Sequence, residues 1–236
     1  MRVLAMDSSG LVASIAIVED DILLAKYTLQ YQKTHSQTLV PMLDEIRDMI
    51  ELDLATIDCI AVAIGPGSFT GLRIGVATAK GLAGALNIPI VPVQTIEAMA
   101  YQLYGLQELI CPIMDARRGQ VYTGIYTFNR ELELEVILEQ TAISIKELQD
   151  IINQKKQSVL FLGDATPIYQ EELKNTIQQR CHFAPAFCNR QCAGTIGTLG
   201  LHYYQQGKAQ DYREVKPDYL RLSQAERERL ERENES

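Results

Sequence analysis

Two short apolar runs, each closing on Met-Asp, lie 108 residues apart in this chain of 236 residues: Val3-Leu4-Ala5-Met6-Asp7 and Leu109-Ile110-Cys111-Pro112-Ile113-Met114-Asp115. The segments after the two runs are also similar. After Asp7 come Leu11 to Val18 and Ile22 to Leu29, apolar segments joined by tight turns, which read as strands. After Asp115 comes an alternating segment from Val121 to Phe128. A third segment succeeds it, in which Leu132, Leu134, Val136 and Leu138 share one face and Glu131, Glu133, Glu135 and Glu139 lie mostly opposite. That alternation predicts a strand with one face in water.

Helices and strands then alternate in both halves. Leu39, Leu43, Ile46 and Ile50 fall on one helix face, with Pro41 blurring the start because proline is tolerated cheaply only in a first turn. Ile57 to Ile64 reads as a buried strand broken by Gly65-Pro66-Gly67. A helix from about Thr70 to Leu86, a strand from Ile88 to Val93 and a helix carrying Ile96, Met99, Ala100 and Leu103 complete the first half. In the second, Ser144-Ile145-Lys146-Glu147 is a capping box opening a helix with Leu148, Ile151 and Ile152. Val159 to Leu162 is a strand, and Thr166 reads as an N-cap with Pro167 at the first helical position, ahead of Tyr169, Leu173 and Ile177. A last helix carries Ile196, Leu199, Gly200 and Tyr203 and stops at Gly207.

Two βββαβα-type halves imply a duplicated α/β fold, divided into residues 1–106, 107–222 and a charged tail, 223–236. The alternative is two unrelated α/β units that share an order of elements common to the class. The tail sets Arg227, Arg229 and Arg232 among five glutamates and reads as a solvated helix or a frayed end.

Lys and Arg number 22 against 30 Asp and Glu, a net charge of −8, which argues against direct binding of nucleic acid. Asp7 interrupts the opening before a secretory apolar region is complete, and no apolar run reaches the ~18 residues of a membrane span. The chain is expected in the cytoplasm, away from membranes. Five cysteines without a CxxC pair suit a reduced compartment, with Cys59 and Cys111 as small hydrophobes inside apolar runs. Cys181, His182, Cys188 and Cys192 form the one candidate metal set, and their spacings match no common zinc pattern. His35 begins no HxxxH pair, since the fifth position is Leu39, and no Ser-His-Asp set is recognisable by spacing. No catalytic or metal residue is assigned.

If the halves pack as a pseudo-twofold pair, Asp7 and Asp115 face each other across a cleft, as metal-bound phosphates are held in actin-like, sugar-kinase and chaperone ATPase folds. Asp7-Ser8-Ser9-Gly10 offers small hydroxyls to a phosphate. Asp115-Ala116-Arg117-Arg118-Gly119 instead presents two long side chains where close approach favours glycine, although arginine pairs with phosphate. Asp7, Ser8, Ser9 and Asp115 therefore permit a nucleotide without indicating one. The run Gly65-Pro66-Gly67-Ser68-Phe69-Thr70-Gly71-Leu72-Arg73 has Thr70 where a GxGxxG fingerprint needs glycine and lacks the ending of a P-loop. It reads as a strand-to-helix turn capped by Ser68 or Thr70. Beyond it, Gly71, Gly75, Ala79 and Ala83 make a stripe without side-chain bulk, against which either the chain's own sheet or a second protein packs closely.

Several of these segments together resemble the bacterial TsaB (YeaZ) family over nearly the whole chain. They are Leu4-Ala5-Met6-Asp7-Ser8-Ser9, His35-Ser36-Gln37 with Leu39, Pro41 and Met42, the glycine-rich run through Gly75, Met114-Asp115-Ala116-Arg117-Arg118-Gly119, and Tyr219-Leu220-Arg221. The resemblance implies an actin-like (ASKHA, ribonuclease H-like) duplicated fold and a noncatalytic scaffold role in making threonylcarbamoyladenosine beside the anticodon of tRNAs. It implies TsaD as the transferase and TsaE as a small ATPase in the same complex, a homodimer when the chain is alone, tRNA met only through the complex, and no cofactor. It also implies a contact surface on the first two helices, which here carry Leu39, Leu43, Ile46 and Ile50, and Gly71, Gly75, Ala79 and Ala83. Leu11-Val12 and the charged tail depart from the family pattern. The competing reading is an ATPase or small-molecule kinase using Asp7 and Asp115 around ATP and magnesium.

Overall fold

The computed structural model describes residues 1–30 and 35–221; Thr34 and the charged tail lie outside the described residues. The first half contains β1 (Arg2–Asp7), β2 (Val12–Glu19), β3 (Ile22–Gln30), α1 (His35–Met49), β4 (Cys59–Gly65), α2 (Phe69–Leu86), β5 (Ile90–Gln94) and α3 (Thr95–Tyr101). The second contains β6 (Leu109–Asp115), β7 (Gln120–Phe128), β8 (Leu134–Ser144), α4 (Ile145–Lys155), β9 (Val159–Leu162), α5 (Thr166–Thr176), β10 (Cys181–Phe183) and α6 (Ala193–Gln205). Two five-stranded sheets result, ordered β3-β2-β1-β4-β5 and β8-β7-β6-β9-β10. Position for position these are one topology. β1 and β6 each pair antiparallel with the next strand and parallel with the strand after the following helix, so Asp7 and Asp115 end equivalent strands.

Both sheets are covered on both faces, and the period of two along β1 shows how. Leu4 and Met6 meet Leu39, Leu43 and Ile46 of α1 and Val76, Ala79 and Ala83 of α2. Val3 and Ala5 point the other way, into a cluster with Ile196, Leu199 and Leu201 of α6. In the second sheet, Cys111 and Ile113 meet Leu148 and Ile152 of α4 and Leu173 of α5, while Ile110 and Met114 meet Ile96, Met99 and Ala100 of α3. Each half thus lends its last helix to the sheet of the other. The two lent helices touch: the Tyr203 hydroxyl of α6 donates to Glu97 of α3, and Tyr101 lies edge-on to His202, with ring centroids 6.3 Å apart. α6 can lie flush on the first sheet because Gly200 faces Ala61, whose Cβ would sit 2.4 Å from a Cβ added at the glycine.

Several local expectations need correcting. Cys181 and His182 of the candidate metal set lie in β10, a three-residue strand too short to show a period, and among the described residues no His, Cys, Asp or Glu group is arranged to hold a metal. Thr166 is the first helical residue and not the cap, and its hydroxyl donates back to the Gly163 carbonyl. In β8 the pairing with β7 shifts register about Ile125, and Val136 is exposed where the alternation had placed it inside. α1 begins at His35, which leaves Pro41 inside the helix. Among the described residues, no helix is long and apolar enough to cross a membrane.

Candidate functional site

A cleft of about 540 Å³ opens between the halves, lined by the turns that follow β1 and β6, the start of α2 and the last described residues. The first turn is closed by its own contacts. Asp7 is buried, and one carboxylate oxygen accepts from Ser9 N at 2.8 Å and Ser9 Oγ at 2.6 Å. Burial pushes its carboxyl above the usual carboxylate range, against the pull of the Ser9 bonds and of His35. The backbone of the turn is engaged by α2. The Ser9 carbonyl accepts from Ser68 N at 2.7 Å, and a Cβ at Gly67 would lie 2.2 Å from that carbonyl. Ser8 Oγ donates to the Gly71 carbonyl at 2.9 Å, and a Cβ at Gly71 would lie 2.1 Å from Ser8 O. His35 Nε2 donates to the Gly10 carbonyl at 2.8 Å, and the buried Gln191 stands against Gly10 from the other half. Ser68 caps α2 as expected, its hydroxyl accepting from Gly71 N.

The second turn is held differently. Arg117, Arg118 and Gly119 have φ of 64°, 57° and 71°, so a tight hairpin is made with two arginines where glycine or asparagine is favoured. Asp115 Oδ1 accepts from Arg117 N at 2.8 Å, and Arg117 Nη1 lies 3.2 Å from Asp115 Oδ2. Behind Asp115 stands Asp164, whose Oδ1 accepts from Asp115 N at 3.0 Å; burial pushes the Asp164 carboxyl up. Its signal in the sequence is Gly163, which follows β9 with φ of 114° as Gly65 ends β4 with φ of 130°.

The third wall is a strap after α6 that carries no periodic pattern. Lys80 Nζ donates to the carbonyls of Arg213 and Val215, and Asp218 N donates to the Ile64 carbonyl. Tyr219 stacks on Phe69 with centroids 4.7 Å apart, the Arg73 guanidinium lies 3.9 Å over the Phe69 ring, and its Nε donates to Tyr219 Oη. Arg221 then crosses to the second half and donates to the Ala116 carbonyl at 2.6 Å.

For a nucleotide with its metal, one oxygen of each aspartate is already taken, Asp7 Oδ1 by Ser9 and Asp115 Oδ1 by Arg117 N, and the Ser8 and Ser9 carbonyls pack against Gly71 and Gly67 at the start of α2.

The family model described as "TsaD: tRNA N6-adenosine threonylcarbamoyltransferase" matches residues 23–229. The tRNA threonylcarbamoyladenosine biosynthesis protein TsaB of Bacillus subtilis is 33% identical over 231 residues, 98% of this chain and 99% of that one. This chain belongs to the TsaB family. Escherichia coli TsaB is 36% identical over 129 residues, 53% of this chain and 55% of its own. YeaZ from Pseudomonas aeruginosa superposes with a TM-score of 0.75 at 23% identity, covering 93% of this chain and 99% of that one. A ROK hexokinase from Thermus thermophilus superposes at 0.51 with 11% identity, covering 87% and 100%, which supports the actin-like fold and nothing finer.

Within this TsaB-family chain, the eight residues expected at a contact surface lie inward. Gly71 and Gly75 face Ser8, and Ala79 and Ala83 are buried with Leu39, Leu43 and Ile46 in the core of the first sheet. Ile50, one residue past α1, is partly buried against the same cluster. The small-residue stripe thus has its close partner in the chain's own β1 turn. The outward residues of these helices are different ones, among them Thr70, Arg73, Ala77, Gly81 and Ala85 on α2 and Val40, Asp44, Glu45, Asp48 and Met49 on α1.

Proposed function

We propose that this chain is a noncatalytic partner of a TsaD-type transferase in threonylcarbamoyladenosine biosynthesis, acting in the cytoplasm in a complex that also contains TsaE. The observation that carries the noncatalytic part is the closed first turn, where Asp7 is held by Ser9 and the serine carbonyls meet Gly67 and Gly71. Ser9 N, a donor that a phosphate cradle would use, is already spent on Asp7, which weighs against a phosphate at this turn. The pathway comes from the relatives named TsaB and from the match to the transferase family model. A chain with a net charge of −8 meets tRNA through partners that supply the basic surface.

The contact surface proposed for α1 and α2 is their outward face, with the buried stripe holding that face in place from beneath. Ala77, Gly81 and Ala85 recur every fourth residue and leave α2 flat, with open space around Gly81. Val40 adds apolar area on α1. The same face serves a second copy when the chain is alone.

The test uses purified proteins. The chain without TsaD is expected to transfer no threonylcarbamoyl group to tRNA, and transfer by the chain alone would overturn the reading. Ala77→Glu and Gly81→Arg, both at exposed positions, are expected to abolish co-elution with TsaD. Unchanged co-elution of both variants would remove the proposed surface.

A further inference from the structure

A second cavity, of about 620 Å³, lies on the seam between the halves and is lined from both. Gln94 and Glu97 enter from the β5–α3 junction, Tyr126 from β7, Glu139 from β8, Tyr203 from α6 and Lys208 from the segment after it. Asp218, a wall residue of the first cleft, donates through its N to the carbonyl of Ile64, which lines this cavity, and accepts from Gln140.

The wall contains a polar group without a partner. Tyr126 is 1% exposed, and its hydroxyl makes no hydrogen bond among the described residues. A buried hydroxyl left unpaired is destabilising, and its persistence in a cavity wall marks a place where a partner belongs. Burial, and after it the carboxylates of Glu97 and Glu139, push its pKa up, so the phenol stays protonated and available as a donor. The charges around it are unbalanced. Glu97 accepts from the Tyr203 hydroxyl through one oxygen, Oε1. The Lys208 ammonium lies 4.1 Å over the Tyr203 ring, which leaves two carboxylates facing one cation. Ile64, Pro92 and Val136 supply apolar wall. A space of this volume matches an organic molecule rather than a bare ion.

We propose that this cavity binds a small organic cation, an ammonium or guanidinium compound bearing a hydrogen-bond acceptor. The cation sits between Glu97 and Glu139, and the acceptor takes the hydrogen of the Tyr126 hydroxyl. Two carboxylates against the single Lys208 ammonium disfavour an anion here. Because the walls come from both halves, the occupant bridges them. The inference is independent of the pathway proposed above.

Calorimetric titration of the full chain with argininamide and with ethanolamine tests it, with succinate and glycerol as anionic and neutral controls. At least one of the two cations is expected to bind saturably, and the controls are not. Glu97→Gln and Glu139→Gln are each expected to weaken binding at least about tenfold, and Tyr126→Phe severalfold. Glu139 is at the exposed rim, so its variant keeps the test valid where Glu97→Gln disturbs Tyr203. The proposal is overturned if neither cation binds below about 10 mM, if the controls bind as well, or if binding is unchanged in both glutamate variants. It is also overturned if Tyr126→Phe lowers stability without changing binding, since the hydroxyl's partner is then an internal water.

Discussion

Arg117 and Arg118 occupy the left-handed region, where a non-glycine residue is disfavoured by roughly 1–2 kcal/mol, and Arg118 is exposed at the tip of the hairpin. Arg118→Gly is expected to stabilise the chain by up to about 1 kcal/mol, the relief being partly offset by the freer unfolded glycine. Urea unfolding measures this, and a loss of stability would show that the arginine makes contacts the turn needs. Asp7 gives a pH-dependent counterpart. Its folded-state pKa lies above the unfolded value, so proton binding favours the folded chain. The stabilising contribution is complete below the unfolded value and is lost as pH rises through the folded one. Asp7→Asn keeps an oxygen for Ser9 and carries no charge, so it is expected to be more stable than the parent near pH 7. That advantage narrows as pH falls towards about 4, and a gap in urea midpoints that stayed constant over this range would exclude a charged Asp7 as the cause. The two aspartates and their turns were legible from the Met-Asp repeat. Gln191 was not, because it reaches its turn from a segment distant in sequence and no local pattern marks the meeting, and Asp164 has only the Gly163 before it as a signal.

At the scale of elements, α2 shows what periodicity can and cannot tell. Residues four apart reveal that one face of the helix is bare, but not what that face meets. The structure sets it against the β1 turn, where a Cβ at Gly75 would lie 2.3 Å from Ser8 Oγ and 3.7 Å from Ser8 Cβ. The crowding thus comes from one oxygen. Gly75→Ala is expected to cost about 1–3 kcal/mol by overpacking, and Gly75→Leu more. In a Ser8→Ala background the cost of Gly75→Ala is expected to fall by about 1 kcal/mol or more, a coupling that a double-mutant cycle reads directly. Additive effects would mean that the strain is relieved elsewhere on the helix. The same limit explains the other misses. β10 spans three residues, too few for a period, and the strap from 208 to 221 is pinned by single contacts at Lys80, Ile64, Phe69 and Ala116 that no repeat announces.

For the whole molecule, the 108-residue repeat revealed the duplication but not the exchange of α3 and α6, since the order of elements does not say which sheet a helix covers. The exchange makes each half incomplete. Residues 1–106 alone would leave Val3, Ala5, Ala61 and Val91 of the first sheet without Ile196, Leu199 and Leu201 of α6, and would leave Ile96 and Met99 of α3 without the second sheet. Val3, Val91, Ile96 and Met99 each contribute roughly 1.5–3 kcal/mol on burial, and the four together rival the ~5–15 kcal/mol by which a domain is stable at all. Residues 1–106 expressed alone are therefore expected to show no cooperative urea transition, whereas the full chain unfolds in one step with coincident fluorescence and circular dichroism midpoints. Adding residues 107–236 is expected to restore the transition, because α6 then returns to the first sheet and α3 to the second. A cooperative transition from 1–106 alone would show that α1, α2 and the central strands suffice, and that the lent helices join two halves already folded.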